Sequence, residues 1–286
     1  MVKIISDSTC DLSQELLQKY DISILPLSIL LGEKEYKDGM EITPEEIYRW
    51  SEENKTTPKT AAPSIEQTVA LFETYVREGR DIVCFSISES MSACNNVMHL
   101  AAEELDAADR IKVINSANLS TGIGLLVVEA AIMAKEGRSA EEIALRMEEL
   151  KPKVRASFVV DTLIYLHRGG RCSGLSAMVG GALKLHPRIE VKDGAMGSGK
   201  KYRGGIDKVI LHYVTDMEED LKAADKSRVF ITHSGCERGI VEQVRKYLEE
   251  LDIFFEILET RAGGVVSSHC GPGTLGVLFI ASSPSR

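Results

Sequence analysis

Long apolar runs are missing from this chain. The longest, around Leu125 to Ala134, contains Glu129 and is too short to span a bilayer. The opening MVKIISDSTC is polar by its sixth residue and leaves no room for a signal-peptide core. The expectation is a cytoplasmic protein, with room for transient membrane contact and none for integral membrane association. Cysteine is scattered: six residues, at 10, 84, 94, 172, 236 and 270, with no CxxC pair and no clustering with histidine. A disulfide framework and a metal site are therefore not expected, and the cysteines read as small, reduced core or site-lining residues. Positive charge is in deficit, with 34 Lys+Arg against 43 Asp+Glu and a formal net charge of -9. A chain of this sign repels phosphate backbones, so no nucleic-acid partner is expected.

Catalytic signatures are equally thin. No GxSxG elbow is present to raise a serine nucleophile above a sheet. The stretch Gly194-Ala-Met-Gly-Ser-Gly199-Lys200-Lys201 has the glycine and lysine spacing of a nucleotide P-loop. Lysine, however, stands where Ser or Thr would hold magnesium, and Tyr202-Arg203-Gly204-Gly205 follows instead of a helix pattern. The stretch reads as a hairpin tip.

What is present is the grammar of two α/β domains. The 286 residues, 44% apolar and 27% charged, suffice for one large domain or two ordinary ones. Up to about residue 150, short β-rich runs (2–5, 82–85, 111–114, and the apolar run 24–31) alternate with amphipathic helical patterns. Thr43-Pro44-Glu45-Glu46, Ser64-Ile65-Glu66-Gln67 and Ser139-Ala140-Glu141-Glu142 carry the capping-box pattern. Strands separated by helices predict βαβ units and a Rossmann-like, mostly parallel sheet over residues 1–155. Beyond Lys151-Pro152 the candidate strands are 157–160, 188–192, 229–232, 253–258 and 276–281, with a hairpin turn at Lys192-Asp193-Gly194. A second domain over 156–286 with a mixed or antiparallel sheet is predicted.

Four loops share one character, being rich in glycine, serine or proline and lying after an apolar run or before a helix pattern. They are Lys59 to Ser64, Ser88 to Cys94, His167 to Gly174, and Ser268 to Gly273. In open α/β sheets, ligands sit outside the carboxyl ends of the strands, and hydroxyls at helix starts bind anions together with free backbone N–H groups. Thr60, Ser64 and Ser92 taken singly read as helix caps. Taken with Arg168, Arg171 and His269, the loops read as an anion site.

Ser6-Asp7-Ser8-Thr9-Cys10-Asp11, Pro26-Leu27, Thr60 to Ser64, Ser88 to Ser92, Asp161-Thr162-Leu163 with Tyr165 to Arg171, and His269-Cys270-Gly271-Pro272-Gly273 resemble the DegV family in order and spacing. The resemblance covers essentially the whole chain. It implies a fold that binds a long-chain fatty acid, such as palmitate, stearate or oleate, between an N-terminal Rossmann-like domain and a C-terminal α/β domain. It also implies a partner, a fatty acid kinase that brings ATP and magnesium and phosphorylates the bound carboxylate. By position, Thr60 and Ser92 would hydrogen-bond the carboxylate, and Arg171 and His269 would lie at the same head-group end. Arg203 would fall in a basic segment facing the kinase. The chain departs from the family pattern at Ala61-Ala62-Pro63, Met91-Ser92-Ala93-Cys94 and His186-Pro187-Arg188-Ile189.

A guanidinium suits both a carboxylate and an acyl phosphate, which supports the expectation for Arg171. For Arg168 a surface or interdomain salt bridge is the alternative, and for His269 a structural histidine. Lys184, His186, Arg188, Lys192, Lys200, Lys201, Arg203 and Lys208 form a basic region, read either as a solvated face or as a docking surface. Two other readings of the whole remain: a serine hydrolase acting on acyl esters through Ser92 and His269, and a binder of another anionic small molecule.

Overall fold

The computed structural model describes residues 1–172 and 185–283, so Ser173, Gly174 and Lys184 lie outside the described residues. Its first part runs β1 (Lys3–Asp7), α1 (Gln14–Lys19), β2 (Ile22–Leu25), β3 (Ser28–Leu31), β4 (Lys34–Lys37), α2 (Pro44–Asn54), β5 (Lys59–Ala61), α3 (Ile65–Arg77), β6 (Ile82–Ser86), α4 (Cys94–Glu104), β7 (Ile111–Asn115), α5 (Thr121–Lys135) and α6 (Ala140–Leu150). Then come β8 (Val154–Val159), α7 (Ile164–Gly169), β9 (Leu185–Lys192), β10 (Ala195–Arg203), α8 (Ile206–Thr215), α9 (Glu218–Lys222), β11 (Ala224–His233), α10 (Arg238–Glu250), β12 (Glu256–Arg261), α11 (Gly264–Cys270) and β13 (Leu275–Ala281).

The predicted parallel sheet is there, in the order β2-β1-β6-β7. Its central strands β1 and β6 are buried along their whole length, as expected of a parallel sheet covered on both faces. All three capping boxes form, at Thr43/Glu46, Ser64/Gln67 and Ser139/Glu142. The apolar run 24–31 is two strands. Pro26 lacks a backbone donor and Ser8 takes up the Leu27 N–H at 3.2 Å. The chain thereby leaves the parallel sheet, and β3 pairs antiparallel with β4 and β5 in a small sheet of its own.

The predicted mixed sheet follows, six strands in the order β10-β9-β8-β13-β11-β12, antiparallel except for β11 with β12. All its strands begin at Val154 or later, and all strands of the other two sheets end before it. The predicted strand 253–258 is observed as 256–261, because Asp252 takes a left-handed φ of 51° and pairing with β11 starts at Arg228↔Glu256. Between β9 and β10, Asp193 (φ 50°) and Gly194 (φ 79°) make the two-residue turn expected. The glycine-rich stretch after it is the strand β10, which disposes of the P-loop likeness.

Helix α5 is apolar around most of its circumference and packs on β1 and β6 on one side and on β8 and β13 on the other. One core therefore runs from Ile5 and Phe85 through Ile123 and Leu126 to Ala156 and Leu278. A second core, with Tyr213, Val244 and Phe279, lies between the mixed sheet and helices α8 and α10. Arg228, 5% exposed, joins α5 to the mixed sheet by pairing with Glu129 and with Glu256 (3.2 Å).

Candidate functional site

A cleft opens outside the carboxyl ends of β2, β6 and β7, where ligands of open α/β sheets bind. Its empty space is about 860 Å³, open mouth included. Leu27, Ile87, Met91 and Leu119 from the loops after those strands line it, and Phe158, Gly276, Leu278 and Met196 of the mixed sheet form the facing wall. Helices α7 and α11 add Leu166, Val265, Val266 and Cys270.

Thr60, Ser92, Arg171 and His269 all line this cleft. Strand β5 holds Thr60 opposite Ile29 of β3, and the last turn of α11 holds His269, with Thr60 Oγ1 2.8 Å from His269 Nε2. Ser92 precedes α4 and accepts from Cys94 N at 3.3 Å, which leaves its hydroxyl hydrogen for another acceptor. Arg171 follows α7 and donates through Nη1 to Gly169 O (2.6 Å) and through Nε to Met91 O (3.5 Å), tying α7 to the Ser92 loop. Burial, with the Arg171 charge added, pushes the His269 imidazole down to about 4. At neutral pH the site thus holds two hydroxyls, a neutral imidazole and one guanidinium, a set suited to an anion.

Other candidates lie elsewhere. Ser64 caps α3, as the plain reading had it. Arg168 is exposed on α7, and Arg203 is exposed at the end of β10, outside the cleft lining. The basic region is smaller than its sequence suggests. His186 is buried, with Nδ1 2.8 Å from Val160 O and Nε2 3.1 Å from Gly204 O, so it is a structural clamp and no part of a solvated face. Arg188 pairs with Glu190 at 3.0 Å and lies over the Tyr213 ring. Lys200 pairs with Asp216. Lys192, Lys201, Arg203 and Lys208 remain exposed.

Residue-by-residue reading missed a buried carboxylate frame. Asp7 accepts from Thr9 and from Ile87 N (2.7 Å), which anchors the loop that runs on to Ser92. Asp11 accepts from Gly263 N (2.8 Å) and Ser120, and Asp38 from Gly264 N and Ser8, both at 2.7 Å. Together Asp11 and Asp38 hold the start of α11, the helix whose last turn carries His269. Burial raises the pKa of all three, that of Asp11 to about 8. The signal was the polar string Ser6 to Asp11, which begins inside the buried strand β1. Ser88 and Ser90 do a related job, donating to the Gly194 carbonyl at the tip of the β9–β10 hairpin.

A family model described as an uncharacterised protein of the DegV family matches residues 1–282. The chain belongs to the DegV family. A DegV domain-containing protein of Clostridium acetobutylicum is 32% identical to it, over 98% of each chain. A solved structure from Thermus thermophilus, described as fatty acid binding of a DegV family protein, is 29% identical. It superposes with a TM-score of 0.89, covering 98% of this chain and 99% of its own. A stearic acid-binding protein from Eubacterium ventriosum is 32% identical over 98% of each chain, with a TM-score of 0.84. In this DegV chain Ser92 and His269 share no hydrogen bond, and among the described residues His269 Nδ1 has no carboxylate to orient it. Both bonds define a serine triad, so nothing here favours the hydrolase reading.

Proposed function

We propose that the protein binds a long-chain fatty acid between an N-terminal unit (1–155) and a C-terminal unit (156–286), carboxylate toward Thr60, Ser92, Arg171 and His269. The observation that carries this reading is the convergence of those four side chains, from four separate segments of the chain, on one apolar-walled cleft. The fatty acids bound by similar DegV structures support it. Each buried methylene contributes about 0.8 kcal/mol. A tail of roughly fourteen therefore supplies on the order of 10 kcal/mol before the costs of association, enough for retention through purification. Native mass spectrometry of the purified protein followed by ligand extraction tests this. A saturated or monounsaturated long-chain fatty acid is expected. Folded protein that carries no lipid and takes none up from solution refutes it.

On this reading the protein has no turnover of its own and presents the carboxylate to a fatty acid kinase, which supplies ATP and magnesium and makes the acyl phosphate. The exposed Lys201, Arg203 and Lys208 on an otherwise acidic chain support docking of a partner that carries phosphates. Acyl-phosphate formation in a mixture of loaded protein, kinase and ATP, lost on Arg203→Glu with fatty-acid binding intact, is the result expected of that role.

A further inference from the structure

The two ring nitrogens of His269 have different surroundings. Nε2 has the Thr60 hydroxyl at 2.8 Å. Nδ1 is buried and, among the described residues, has no hydrogen-bond partner. Gly169 covers it: a Cβ built on Gly169 would overlap Nδ1, so the hydrogen that glycine carries in that direction is aimed at this nitrogen. A neutral imidazole has one N–H to place. On Nδ1 it would be a buried donor meeting a C–H, hydrogen against hydrogen, and buried orphan N–H groups are rare. On Nε2 it has Thr60 Oγ1 as acceptor, and the Nδ1 lone pair meets the Gly169 C–H in a weak attractive contact. Burial beside Arg171 keeps the ring in its neutral form at neutral pH.

We infer that Gly169 fixes His269 as the Nε2–H tautomer and thereby makes Thr60 a donor into the cleft, so that the head-group site selects an acceptor-only anion over an alcohol of the same chain. Thr60 accepts from His269, and its own hydrogen is then free for the ligand. Ser92 stands in the same condition, since its oxygen accepts from Cys94 N. Two hydroxyls poised as donors match a carboxylate, which only accepts. Gly169 is in this sense a positioning residue, acting through His269. The tautomer assignment stands on the geometry around a neutral ring, while the choice of ligand rests on the fatty-acid reading above.

Nitrogen-15 NMR of histidine-labelled protein at pH 7, delipidated and palmitate-loaded, reads the tautomer. The expected spectrum has His269 Nδ1 at the shift of an unprotonated ring nitrogen and Nε2 protonated in both states. An Nδ1–H ring or an imidazolium overturns the assignment. Palmitate and hexadecanol titrations on wild type, Gly169→Ala, His269→Gln and His269→Asn read the consequence. Glutamine carries an amide N–H to about the place of Nε2, whereas asparagine falls short. The wild-type preference for palmitate should drop about tenfold in Gly169→Ala and His269→Asn, and less in His269→Gln. Equal preference in all four proteins overturns the role given to Gly169 and Thr60. Should Gly169→Ala fail to fold, the wild-type spectrum and the glutamine–asparagine pair decide the matter. An Nε2–H ring in a protein that binds no palmitate upholds the tautomer and sinks the fatty-acid reading instead.

Discussion

The four residues proposed to hold the head group are not equivalent, and their surroundings say how each should respond to change. Thr60 and Ser92 each have an oxygen already engaged, so their replacement removes one donated hydrogen bond to a charged group. Thr60→Val and Ser92→Ala should each weaken fatty-acid binding by roughly 1–3 kcal/mol in a competition titration, with the tail still bound. Wild-type affinity in both folded variants would leave these hydroxyls with structural roles alone. On the proposed kinase role Arg171 would differ, because charge would grow at the head group as a phosphoryl group arrived, and stabilisation that grows toward the transition state raises turnover more than binding. Arg171→Ala should keep most affinity and lose most kinase-dependent acyl-phosphate formation, with Arg171→Lys restoring part. A parallel fall in both would make it an affinity or folding residue, a real alternative since it also holds the Met91 and Gly169 carbonyls. His269 makes stability depend on pH. Its folded value of about 4 lies below the unfolded 6.5, so its contribution is present above 6.5 and is lost as pH falls toward 4. The stability gap between wild type and His269→Gln should therefore narrow by about 1–2 kcal/mol between pH 7 and pH 5 in urea titrations. Asp11, raised to about 8 from 3.8, works in reverse: its contribution is full below about 4 and is lost as pH climbs toward 8. At this scale the sequence made the cleft residues legible, because loop hydroxyls, arginine and histidine stand out from their neighbours. It hid the burial of His186 and the purpose of Asp11 and Asp38, since a charged residue looks the same in a string whether its partner is water or a helix 250 positions away.

Among the elements, α11 joins the two halves of the chain. It begins on carboxyl groups from the first forty residues and carries the cleft residue His269 in its last turn. Asp38→Ala removes the acceptor of Gly264 N and the partner of Ser8, and should destabilise the fold by on the order of 2 kcal/mol while also loosening fatty-acid binding. Asp38→Asn keeps an acceptor and drops the buried charge, so a melt that shows it as damaging as alanine would argue against capping. The same scale explains which elements could be read in advance. Capping boxes are local, and all three formed where the letters placed them. The break between β2 and β3 depends on Ser8 reaching the Leu27 N–H, and the start of β12 depends on its register with β11. Neither partner is local.

For the whole molecule, the order of elements was enough to predict a parallel sheet followed by a mixed one. The order of strands within the second sheet, and the sharing of α5 between both, were not legible, because hydrophobic period says which face is buried and not what covers it. A ligand held in the shared core should stabilise all of it at once. Delipidated protein should melt lower than loaded protein, and palmitate at a hundredfold excess over Kd should restore about 2.7 kcal/mol. A melting temperature indifferent to palmitate would mean that the folded protein does not bind it. Strand β13 is the last element of the described chain, yet it sits in the middle of the mixed sheet, with Gly276 paired to Phe158 on one side and to Thr232 on the other. Until it inserts, β8 and β11 are open edges beside an apolar helix, and closing the β8 edge joins residues more than a hundred positions apart. Folding should therefore be slow for the size of the chain, with a late step at which all remaining contacts form together. The hours of danger for this protein in the cell are the moments before that strand arrives, when its half-built sheet is a template for other chains.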